Sequence, residues 1–166
     1  MVRRLQLSGW EARVEVTYAL RGASGSIDIL AWHASTRTLL VIEVKTEISS
    51  AEVVLRKFDE KALIAASVAR ERFGWLAASV SHLLVIEDSS TNRRRLHAHS
   101  PLFDAALPDR GTDLRRWLAA PSGRVAGWLF SFTKHWQRCY PAPRRSTPRP
   151  TGSCIPETSR RERASG

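Results

Sequence analysis

Cysteine is scarce in this 166-residue chain: there are two, Cys139 and Cys154, both near the C-terminus. A disulfide scaffold is therefore excluded, and a reducing, cytoplasmic setting is the expectation. No apolar run approaches the roughly 18 residues of a membrane span. Arg3-Arg4 is not followed by an apolar stretch of secretory-signal length, so neither a membrane partner nor export is expected. There is no glycine-rich phosphate loop of the P-loop type, no Gly-x-Ser-x-Gly nucleophile turn and no internal repeat. Acids are in deficit, with 16 Asp and Glu against 26 Lys and Arg, a formal net charge of +10. Hydrophobic residues, at 43%, are in ordinary supply, which rules out global disorder and fits one domain with a real core.

The positive charge is unevenly placed. Residues 131–166 hold Lys134, Arg138, Arg144, Arg145, Arg149, Arg160, Arg161 and Arg163 against only Glu157 and Glu162, more than half of the net charge. Five of the eight prolines follow residue 140, and no strand or helix pattern lies there. Such a composition cannot bury enough apolar surface to offset the entropy of ordering. The expectation is a folded domain over 1–130 and a disordered, basic Pro/Arg/Ser-rich tail over 131–166. The tail is either a solvated linker or a source of nucleic-acid contact through its arginines. Trp136, between Lys134 and Arg138, is placed to stack on a base.

Within the folded part, residues 11–20 alternate as a strand, and 21–25, with Gly22 and Gly25, read as a loop. Residues 26–32 and 38–46 are strand-patterned and joined by a short turn. Leu39-Leu40-Val41-Ile42 is apolar on both faces, the mark of a central, covered strand. Ser49 or Ser50 can cap a helix over 51–72, with Gly74 ending it. A strand follows over 82–86. Three short helices come next, with starts expected at Thr91, Ser100-Pro101 and Thr112, and then a last strand over 125–130. A strand hairpin followed by a strand–helix–strand crossover implies an α/β fold with a mixed, four- to five-stranded sheet flanked by helices.

One constellation carries chemistry. If the turn is centred between Ser35 and Thr36, Trp32 faces Leu39, Leu30 faces Val41, Asp28 faces Glu43 and Ser26 faces Lys45, all on one face of the sheet. The turn end of that face is apolar, and the open end is polar. Two carboxylates opposite each other repel, more so when partly buried. A bound cation, a raised pKa or Lys45 must offset that repulsion. Hard divalent cations accept such oxygen ligands, so Asp28 and Glu43 form a candidate metal pair with an ammonium beside it.

The stretch Gly25-Ser26-Ile27-Asp28-Ile29-Leu30, followed by Val41-Ile42-Glu43-Val44-Lys45-Thr46 and a helix, resembles the PD-(D/E)XK nuclease superfamily, the restriction-endonuclease-like fold. With Arg70-Glu71-Arg72 and Thr91-Asn92-Arg93-Arg94-Arg95 downstream, the chain is more narrowly similar to the C-terminal domain of actinobacterial helix-turn-helix regulators. The resemblance implies a Mg²⁺- or Mn²⁺-dependent DNA phosphodiesterase. Asp28, Glu43 and the Val44 carbonyl would hold the metal, and Lys45 would serve the attacking water and the phosphoryl charge. It also implies DNA as partner and a helix-turn-helix domain missing from this chain; a second copy of the chain, in a homodimer, is a further expected partner. Active relatives usually carry another Glu on a helix before the first strand. This chain begins almost at that strand, leaving Glu11 and an outward-facing Glu15 as the nearest acids. A non-catalytic, DNA-associated or regulatory domain on the same fold is the alternative. Lys61, Arg93, Arg94 and Arg95 are candidate phosphate contacts, whereas His97 and His99 lack partners for zinc.

Overall fold

A computed structural model describes residues 1–131 apart from Arg21; the expected tail over 131–166 lies, after its first residue, outside the described residues. In chain order the elements are α1 (Val2–Leu7), β1 (Trp10–Leu20), β2 (Ala23–His33), β3 (Thr38–Lys45), α2 (Ala51–Phe73), β4 (Ser79–Glu87), α3 (Ser90–Ala98), α4 (Ser100–Ala106), α5 (Gly111–Ala119) and β5 (Ala126–Ser131). The five strands form one sheet in the order β1-β2-β3-β4-β5. β1, β2 and β3 pair antiparallel, while β3, β4 and β5 pair parallel. The fold is therefore α/β, with a mixed five-stranded sheet flanked by helices. Among the described residues, no helix is long and apolar enough to cross a membrane.

β3 is the middle strand, and its residues Leu39, Leu40, Val41 and Ile42 are fully buried from both sides. One face of the sheet carries Leu30, Leu39, Val41, Leu84 and Ile86 into a core with Val54, Leu55, Phe58, Ala65, Val68 and Ala69 of α2 and Leu96 and Phe103 of α3 and α4. Ile29, Ala31, Leu40, Ile42, Leu83 and Val85 are buried on strand positions of the opposite parity. Near them Trp10 donates its indole N–H to the Leu118 carbonyl and packs on Trp117, fastening α5 beside the first strand.

α2 has the ends its sequence promised. The Ser50 hydroxyl accepts from the Val53 N–H, and Gly74 closes the helix in the left-handed conformation with φ 70. Other boundaries differ from expectation. Leu20 pairs with Ala23, so the region read as a loop is a tight hairpin, and Gly25 lies inside β2. A six-residue helix, α1, precedes the first strand; it contains arginines but no acid. Ser89, not Thr91, caps α3, and α5 begins after Arg110 without a side-chain cap. The two cap differences are competitions among adjacent polar residues that local sequence leaves nearly degenerate.

Candidate functional site

The β2–β3 ladder has the expected register: Trp32 pairs with Leu39 and Leu30 with Val41. It runs only as far as Ile29↔Ile42. Ser26 pairs with Thr17 of β1, and neither the expected Asp28–Glu43 pairing nor the expected Ser26–Lys45 pairing forms part of the ladder. At the point of divergence Asp28 replaces a backbone partner with a side chain, its Oδ2 accepting from the Val44 N–H at 2.7 Å. On the neighbouring strand, Glu15 adopts a left-handed φ of 49, and its flanking residues keep the β1–β2 register. The hairpin thus opens at the carboxylate pair. The ladder stops there because a carboxylate can satisfy the free amide that a strand would otherwise need to supply.

Glu43 is 2% exposed and sits on the α2 side of β3. Both of its oxygens are held. Lys45 Nζ lies 3.1 Å from Oε2, and Lys61, reaching over from α2, donates to Oε1. The Lys61 side chain is 17% exposed and that of Lys45 33%. Burial, then the negative charge of Glu43, pushes the Asp28 carboxyl above its ordinary pKa; the Val44 N–H, Lys61 and Lys45 pull in the opposite direction, in that order. Two carboxylates and two ammonium groups therefore share one corner of the sheet with no formal net charge.

Tyr18 was not among the residues singled out by sequence. It pairs with Gly25 across β1–β2, and a Cβ built on Gly25 would stand 2.6 Å from the Tyr18 hydroxyl. The glycine is needed for this close approach, not for a loop conformation. Burial and then the charges of Glu43 and Glu60 raise the Tyr18 phenol's pKa. The bonding role of Lys61 was also missed, though a signal existed. Lys61 follows Phe58 by three residues and precedes Ala65 by four, which sets a lysine inside the buried stripe of α2.

Two of the three arginines of α3 make ion pairs within the fold, and Arg93 and Arg94 are exposed. Arg93 makes a forked pair with Asp88 at 2.7 and 2.8 Å and lies 4.7 Å from the Phe130 ring centre. Arg95 donates to Glu47 and to the Ile48 carbonyl. Arg94 is exposed. Between them Asn92, 1% exposed, accepts from the Ile48 N–H and donates to the carbonyls of Thr46 and Glu87, stapling the exit of β3 to the exit of β4. A cavity of about 240 Å³ borders Arg93, with His97, Asp104, Arg110, Trp128 and Phe130 in its wall. Of the candidate phosphate contacts, then, Lys61 is brought to the carboxylates, while Arg93, Arg94 and Arg95 lie on another element.

Glu11 pairs with Arg13 at the surface and Glu15 is exposed. Among the described residues, no third His, Cys, Asp or Glu joins Asp28 and Glu43 in a metal-sized cluster. No family model matches this chain, and neither the curated proteins nor the solved structures compared with it give a match.

Proposed function

We infer that the corner formed by Asp28, Glu43, Lys45 and Lys61 is a metal-dependent phosphodiesterase site acting on DNA, in a cytoplasmic protein resembling the PD-(D/E)XK nucleases. The supporting observation is the meeting of two crowded carboxylates at the open end of a hairpin, one of them with its pKa raised by burial and by the other's charge. A divalent cation relieves that repulsion directly. The donor chemistry fits Mg²⁺ or Mn²⁺: hard oxygens from Asp28 and Glu43, with the Val44 carbonyl beside them. When bound, such an ion supplies Lewis acidity toward a phosphate oxygen and lowers the pKa of a water. The chain's own residues do the rest. Asp28 is oriented by the Val44 N–H, which fixes one oxygen and leaves the other available. Lys45, one-third exposed, can turn from Glu43 toward a phosphoryl group, where its ammonium stabilises growing negative charge and orients a water. The net positive charge of the chain favours a polyanionic partner.

The second reading, a DNA-associated or regulatory domain without turnover, is favoured by one feature. Both oxygens of Glu43 are engaged by lysines, which already balances the charge of the corner. The two readings separate in a cleavage assay on several DNA forms with Mg²⁺, Mn²⁺ or EDTA. The enzyme reading expects metal-dependent cleavage by wild type and a loss of about 10²-fold or more in Asp28→Asn and in Lys45→Ala. Wild-type protein that neither cleaves nor binds Mg²⁺ would leave the regulatory reading.

A further inference from the structure

Lys61 holds a position that the two carboxylates alone do not explain. Its ammonium is bonded to Glu43 Oε1, while Lys45 holds the other oxygen, Oε2. A helix residue thus takes up a carboxylate oxygen that a metal would otherwise use. It arrives from α2, whereas Glu43 and Lys45 belong to β3 and Asp28 to β2, so its place depends on the packing of the helix across the sheet. Phe58 and Ala65, one helical turn on either side of it, are buried and fix that packing. At 17% exposure its ammonium is only partly hydrated, which strengthens the attraction to a carboxylate that is itself 3% exposed.

We propose that Lys61 is a built-in counter-ion that holds a Glu43 oxygen a metal would need and must release Glu43 before a divalent cation can load. This rests on the metal reading above. Lys61 is in this sense a positioning residue that sets metal affinity. The four-carbon lysine stem allows the ammonium to swing away without movement of the helix backbone. Displacement of an ammonium from a carboxylate favours a doubly charged ion over Na⁺ or K⁺, because only the former brings more charge than leaves. Lys45 is less suited to this role, being nearly twice as exposed and two residues from Glu43 on the same strand.

The test is calorimetric titration of the full chain with Mg²⁺ in the absence of DNA, for wild type, Lys61→Met and Lys61→Arg. The expected result is affinity at least about tenfold tighter in Lys61→Met, the effect of removing one part-buried charge at contact distance. Lys61→Arg, which keeps the charge, should stay within about threefold of wild type. Far-UV circular dichroism checks that each variant is folded, and Lys61→Gln replaces the methionine variant if that one is not. Equal affinity in all variants would overturn the counter-ion role while leaving the metal site standing. No Mg²⁺ binding by wild type or by a folded neutral variant would overturn the metal reading itself, and this inference with it.

Discussion

The two ends of the β2–β3 hairpin obey different physics. At the turn end, backbone pairs run unbroken from His33↔Thr38 inward, and the side chains facing α2 are Leu30, Trp32, Leu39 and Val41. Trp32 stacks nearly parallel to Trp75, which also meets Phe73, the last residue of α2. That end is held by apolar contact, by the ladder and by side-chain bonds among His33, Thr36 and Thr38 at the turn. At the other end the ladder stops, Asp28 spends an oxygen on the Val44 amide, and four charged groups share a partly buried space. The first end holds the sheet together. The second carries an electrostatic cost that folding alone gives no reason to incur. A single pair of strands thus separates stability from chemistry over a few residues.

Three substitutions sharpen that contrast. The largest expected effect is at the turn end. Leu39→Ala removes a fully buried side chain from between α2 and the sheet and should cost about 3 kcal/mol, within the usual range for such truncations, by denaturant melting. A loss below about 1 kcal/mol would mean that the turn end is not the anchor described. An intermediate effect is expected at Gly25, where an added methyl meets the Tyr18 hydroxyl. Gly25→Ala should destabilise by about 1–2 kcal/mol. The loss should shrink when combined with Tyr18→Leu, because the two positions share one contact.

The smallest effect is expected at Asp28, and its sign is opposite. The folded state holds the Asp28 proton more tightly than the unfolded chain, because burial and Glu43 disfavour the charge. Between the ordinary carboxylate pKa and the raised one, the folded protein binds more protons than the unfolded. Its stability therefore falls as pH rises through that window. Asp28→Asn keeps an oxygen for the Val44 amide and removes the charge. Without metal it should melt no lower than wild type near neutral pH and show a flatter dependence on pH across that window. A clear destabilisation by Asp28→Asn would show that the carboxylate is a structural partner and would break the contrast between the two ends.

The candidate site was largely readable as a list of residues. Asp28, Glu43 and Lys45 follow from strand alternation and a short turn, since the period of two leaves few registers that bury Leu39 and Val41 together, whereas Val44 entered only through the resemblance. What could not be read was how the hairpin ends. A ladder drawn on paper continues to Ser26 and Lys45, whereas the chain diverts β2 toward β1, with Ser26 on Thr17 and Gly25 under Tyr18. The arginines of α3 show the same limit: three adjacent charges read as a basic surface, and Arg93 and Arg94 are exposed, but the ion pairs that Asp88 and Glu47, on two different connections, make with Arg93 and Arg95 were not readable.

By itself the sequence determined the α/β class, the central covered strand, the extent of α2 to within a residue and the pairing that puts Asp28 and Glu43 on adjacent strands. These depend on periodicity, capping and turn residues, all of which act over a few neighbours in the chain. Only the tertiary structure decided that Lys61 belongs to that corner, that Tyr18 lies over Gly25 and that Asn92 ties the ends of β3 and β4 together. The Lys61 and Asn92 contacts join residues distant along the chain, and they exist because α2 and α3 pack at one particular place on the sheet; the Tyr18 contact depends on where the β1–β2 ladder is diverted. Local propensity fixes each element's period, and its ends only where caps such as Ser50 and Gly74 are unambiguous. Where a charged side chain at one position along a helix comes to rest depends on the packing of every element beneath it.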